Sequence, residues 1–155
     1  MEKKKVAVLG IGNLLLTDEG IGVHVAKELA KRDFPENITV NDAGTLGLLS
    51  GPLFEGADLL ILIDAVDAEG EPGQVLRYSK DDIMLSKVPF KLSPHQIGFQ
   101  DTLSISELRG ECPSEVIFFG AIPASLDAGV ELSEQGRKAF DEILIEVDKI
   151  LKEYV

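Results

Sequence analysis

Five consecutive aliphatic residues, Leu59-Leu60-Ile61-Leu62-Ile63, closed by Asp64, constrain this chain more than any other stretch. A strand without polar alternation has to be covered on both faces, which is the habit of strands at the centre of a parallel sheet. Such a strand needs parallel neighbours and helices packed above and below. The remaining sequence supplies both.

Lys4 to Leu9 is a second run of this type, closed by glycine, and reads as the first strand. Ile21, Val25 and Leu29, with Ala26 and Ala30 beside them, give a helix over Asp18 to Arg32 one buried stripe, and the turn cluster Phe34-Pro35-Glu36-Asn37 ends it. Ile38 to Asn41 is a weaker strand, followed by a glycine-containing loop, Asp42 to Gly47, and a short helix around Leu48 to Phe54. Gly70-Glu71-Pro72-Gly73 is a turn and Gln74 to Tyr78 a further strand, whereas Ser79 to Lys91 shows no period that places it. Ile97 to Leu108 reads as a modestly amphipathic helix and Glu115 to Phe119 as the last strand. Ser133 is an N-cap for a long helix reaching about Glu153, with Phe140, Ile143, Leu144, Val147, Ile150 and Leu151 on its apolar side. This alternation predicts an α/β fold, a three-layer α/β/α sandwich with a mostly parallel, roughly five-stranded sheet, in a single domain over residues 1–155. Ligands of such sheets bind in the crevice outside the carboxyl ends of the strands.

Composition narrows the partners. A formal net charge of -12 repels phosphate backbones and anionic lipid, so neither nucleic acid nor a membrane surface is expected. The basic Lys3-Lys4-Lys5 cluster reads as solubilising a strand end. No apolar run approaches the length of a membrane span. The single cysteine, Cys112, rules out an internal disulfide framework and suits a reducing compartment, so a cytoplasmic protein is expected.

The stretch Val8 to Gly22, VLGIGNLLLTDEGIG, carries four glycines around the acidic pair Asp18 and Glu19. Acids in a first helical turn can simply complement the helix dipole. Gly20 and Gly22, however, each cost a helix about 1 kcal/mol against alanine, and close approach of a backbone or a ligand is what justifies them. A dinucleotide site is disfavoured: Leu15 stands where G-x-G-x-x-G needs its third glycine, and carboxylates at a helix start repel a pyrophosphate. Asp64 should emerge at the carboxyl edge of the sheet, as a cap, as a loop partner or as a ligand. His24 pairs by spacing with Glu28 on the first helix and reads as a boundary residue, while His95 follows Ser93-Pro94 in a loop. Glu19, Asp64 and His95 can all reach the carboxyl edge, offering two oxygens and one nitrogen, which is the donor set of an open divalent-metal site. There is no G-x-S-x-G, and Cys112 lacks a histidine partner.

These residues also fall in blocks that resemble the hydrogenase maturation proteases. The blocks are Gly10 to Val23, Asp42-Ala43-Gly44-Thr45, Ile63-Asp64-Ala65, Ser93-Pro94-His95-Gln96-Ile97-Gly98 and Gly120-Ala121-Ile122-Pro123-Ala124-Ser125-Leu126. The resemblance implies an endopeptidase that trims the C-terminal extension of the large-subunit precursor of nickel-iron hydrogenase after nickel insertion. It implies Glu19, Asp64 and His95 as metal ligands and catalytic residues, with the nickel supplied by the substrate and other divalent metals able to occupy the site. The general base is then Asp18, Asp42 or an unbound carboxylate of the trio. Asp42, Gly44 and Thr45 form the implied substrate-binding loop, in which Ala43 stands where the family usually has glycine. A monomer is expected, and a non-catalytic nickel-binding assembly factor is the alternative function.

Overall fold

A computed structural model of the chain describes residues 3–44, 47–90 and 94–155, with the side chains of 47–49 and 94–98 outside the described set. Strands β1 (Val6–Ile11), β2 (Ile38–Gly44), β3 (Leu59–Ala65), β4 (Val75–Ser79) and β5 (Glu115–Ala121) form a five-stranded sheet in the order β2-β1-β3-β5-β4. The aliphatic run of β3 is buried at every position and occupies the centre. Four strands are parallel, and β4 runs antiparallel along β5 at the edge. The half-exposed pattern of β4 fits an edge strand, with the exposed Arg77 interrupting its open side.

Helices cover both faces, as the strand composition requires. On one side α1 (Ile21–Leu29) and α4 (Glu134–Leu151) bury Ile21, Val25, Leu29, Phe140, Ile143, Val147 and Leu151 against Val6, Val8, Ile61 and Ile63. Ser133 caps α4 as its sequence position predicts, its Oγ accepting the Gly136 N–H at 3.0 Å. On the other side a 3-10 segment (Gly47–Leu53), α2 (Lys80–Met84) and α3 (Pro94–Leu108) surround a cluster containing Phe54, Ile83, Phe99, Leu103, Leu9, Leu60, Leu62 and Phe118.

Several boundaries differ from expectation for local reasons. The first helix opens with a 3-10 turn, Thr17–Gly20, before α1 begins. The polar stretch after Tyr78 contains α2, made possible by a capping box in which Ser79 and Asp82 exchange side-chain to backbone hydrogen bonds. His95 lies in the first turn of α3 and not in a loop, because Pro94 is pre-organised for the first helical position. Glu28 pairs with Lys31 at 3.0 Å, not with His24, whose half-buried ring lies beside Val130.

The strand order places a topological switch point between β1 and β3. The chain leaves β1 toward β2 on one side and, after crossing back, leaves β3 toward the other side. Crevices in open α/β sheets form at the carboxyl ends of such a strand pair. Both strands run level there, with Gly10 opposite Ile63.

Candidate functional site

Three segments meet at this crevice: the Gly12–Glu19 turn after β1, the end of β3 at Asp64, and the end of β2 at Asp42 to Gly44. Asp42 pairs with Gly10, after which the register shifts so that Ile11 opposes Gly44 and Ala43 becomes the extra residue of a bulge. The Ala43 methyl is buried in the second core cluster, which accounts for a residue larger than glycine at this point. Gly44, at φ +49, returns its carbonyl to accept the Gly12 N–H at 3.0 Å. The Asp42 side chain is exposed, and Thr45 lies outside the described residues.

The glycines earlier identified as unexplained are explained by backbone contact. A Cβ on Gly22 would stand 2.1 Å from the Ile63 carbonyl oxygen and 2.3 Å from that of Ile11, so α1 is laid directly on the ends of β1 and β3. A Cβ on Gly10 would meet the Gly22 carbonyl at 1.9 Å. Gly12, at φ +138, is the point of convergence: its missing Cβ leaves room 1.9 Å from the Glu19 carbonyl oxygen and 3.3 Å from Asp64 Oδ1. Main chain of the acidic turn and side chain of β3 are thereby brought to one place, without any residue between them.

Glu19 is 7% exposed and Asp64 is fully buried, with Asp64 Oδ1 accepting the Ala65 N–H at 2.7 Å. A carboxylate so placed needs compensation by hydrogen bonds or by a cation. With an imidazole beside them, two such oxygen donors would suit a borderline divalent metal. The backbone of His95 is in the first turn of α3, and its side chain lies outside the described residues. Among the described residues no group of three His, Cys, Asp or Glu side chains is disposed to hold an ion.

Asp18 occupies a different environment from its neighbour. It is 2% exposed, and its carboxylate accepts hydrogen bonds from the Ala124 N–H (2.8 Å), the Ser125 N–H (3.2 Å), the Ser133 N–H (2.9 Å) and the Ser133 hydroxyl (2.6 Å). Asp18 also donates its own N–H to the Ser125 carbonyl at 3.1 Å.

Comparison with known proteins decides the relationship. The model of the hydrogenase maturation protease family matches residues 23–151. This chain belongs to that family. The hydrogenase 2 maturation protease of Escherichia coli is 33% identical over 151 residues, covering 96% of this chain and 92% of the relative. The structure of the E. coli hydrogenase maturating endopeptidase HybD superposes with a TM-score of 0.89 at 33% identity, covering 96% of this chain and 93% of that one. The hydrogenase expression/formation protein HupD of Bradyrhizobium diazoefficiens is 39% identical over 127 residues, 81% of this chain but 66% of that protein. The chain thus matches less than two thirds of the length of that relative.

The structure gives a role to the block Gly120 to Leu126, to which the sequence alone gave no task. Its Ala124 and Ser125 amides bind Asp18, and Ser133 serves α4 and Asp18 together. The small residues of that block and the N-cap were visible. Their shared partner, more than a hundred residues upstream, was not.

Proposed function

We propose that the chain is an endopeptidase that removes the C-terminal extension of a nickel-iron hydrogenase large-subunit precursor after nickel insertion. Glu19, Asp64 and His95 engage the nickel that the substrate carries, so that a precursor without metal is not held for cleavage. The observation supporting this reading is the convergence at Gly12, where the Glu19 main chain and Asp64 Oδ1 approach one point at the switch crevice. The chemistry of the three donors suits nickel and also admits other divalent metals.

Hydrolysis adds water across the scissile amide: a C–O bond forms, the C–N bond breaks, and the departing nitrogen takes a proton. The divalent ion supplies Lewis acidity when the precursor is bound. The buried carboxylates hold the metal-bearing segment of the substrate, and the crevice between the β1 and β3 ends orients the chain to be cut. Asp42, the exposed carboxylate at the same edge, receives the proton of the attacking water in this scheme. The chain acts as a cytoplasmic monomer on a protein partner.

Mass spectrometry of a nickel-loaded precursor after incubation tests the proposal. The expected product is a shortened large subunit, with cleavage at least about 100-fold slower for Glu19→Gln, Asp64→Asn and His95→Ala. Undiminished cutting by these variants overturns the metal-docking role, and normal turnover by Asp42→Asn removes it as the base. Tight binding of an uncut precursor by the wild-type chain identifies an assembly factor instead.

A further inference from the structure

We infer that Asp18 is a positioning residue, which locks the turn bearing Glu19 to the 124–133 segment and acts by holding that turn in place and not by moving a proton. The inference rests on the proteolytic reading above for its catalytic consequence only.

All four hydrogen bonds to the Asp18 carboxylate come from donors that hold it as an acceptor, three of them backbone amides and the fourth the hydroxyl of the α4 cap. A carboxylate suits this nest because it offers only acceptors. The space is closed as well: a Cβ on Gly136 would stand 2.1 Å from Asp18 Oδ1, so the first turn of α4 is shaped around it. A proton acceptor for water must face the substrate, whereas this one faces the protein's own main chain.

The adjoining contacts make the lock continuous with Glu19. Leu15 accepts the Gly129 N–H at 2.9 Å, and the Thr17 N–H is donated to the Gly129 carbonyl at 2.9 Å. The Thr17 hydroxyl donates to the Asp127 carbonyl at 2.5 Å. Thr17 is held at φ +50, a left-handed conformation that a threonine adopts only when its surroundings impose it. The Glu19 N–H in turn bonds the Leu16 carbonyl at 3.1 Å. Release of Asp18 therefore loosens the turn from Leu15 to Glu19 at the point where geometry matters for the reaction.

Asp18→Asn tests this, because its amide N–H2 confronts N–H donors with another donor. Hydrogen exchange on the full chain is expected to quicken about 100-fold at the amides of Ala124, Ser125, Ser133 and Glu19, while Ile61 in the central strand is unchanged. With nickel-loaded precursor, kcat is expected to fall about 100-fold with KM within about twofold. Ser133→Ala, which keeps the carboxylate, gives a smaller loss in the same two measurements, and Ser133→Thr restores both. Ile143→Val, a core change in the same helix, lowers stability but leaves kcat as in the wild type. Loss of kcat with all four amides still protected makes Asp18 a participant in the chemistry and overturns the proposal. Freed 124–133 amides with Glu19 still protected, or with kcat intact, overturn it too. A wild-type chain that does not cut the precursor refutes proteolysis instead, and the Glu19 exchange then decides the positioning role alone.

Discussion

Substitution of Gly22 by alanine separates two physical effects of opposite sign. In an exposed helix, glycine to alanine is stabilising by about 1 kcal/mol. In α1 the new methyl would stand 2.1, 2.3 and 2.6 Å from Ile63 O, Ile11 O and Ile11 N, all main-chain atoms of two central strands. Normal carbon contacts need about 3.5 Å, so the helix has to retreat from the sheet by roughly 1 Å or more, since no flexible side chain can give way. Overpacking of this type costs about 3 kcal/mol at the upper end of its usual range. After subtraction of the gain in helix propensity, the variant is expected to be about 2 kcal/mol less stable, a fall in Tm of about 4–8 °C for a chain of this size. Thermal unfolding followed by circular dichroism measures it directly. Because the Thr17–Gly20 turn leads straight into α1, the proposed cleavage of a precursor should fall as well. A Tm equal to or above that of the wild type would refute the close-approach explanation of these glycines.

Three further outcomes follow from other parts of the molecule. Burial, then the nearby Lys27 and Arg137 charges, hold the His24 pKa below its usual 6.5. Since the unfolded chain then binds the proton more readily, stability should decline as pH falls below about 6.5, and His24→Gln should show a flatter Tm against pH between 7.5 and 5. Burial pushes the Cys112 thiol up, despite the Lys80 ammonium beside it, so a disulfide reagent at pH 8 should react at least about 10-fold more slowly with the native chain than with the same chain in urea. Ser79→Ala removes the capping box of α2 and should lower Tm by about 2–4 °C without altering cleavage.

The three-layer plan was legible because its signals are local. The unbroken aliphatic run of β3 and the apolar stripe of α4 each announce their surroundings within a few residues. The direction of β4 was not legible, since a half-buried edge strand has the same pattern whichever way it runs. The short helix α2 escaped because five residues give too little period, although Ser79 and Asp82 already stood at capping-box spacing. Gly20 and Gly22 revealed that something must come close, but not that it was the main chain of Leu14, Ile11 and Ile63. Asp18 shows the limit most clearly. An acid in a first helical turn looks like a dipole cap, and only tertiary structure turns it toward Ala124, Ser125 and Ser133.

The lock between Asp18 and the start of α4 also sets an order of events during synthesis. The segment from β1 to β3 contains Glu19, Asp42 and Asp64 of the crevice, and it leaves the ribosome first. The Glu19 turn nevertheless lacks its anchor until Ser133 and Gly136 have been added and α4 has closed over Ile21, Val25 and Leu29. A chain built in this way stays unassembled while it is being made, and a nascent or truncated one carries Glu19 and Asp64 without the frame that aligns them.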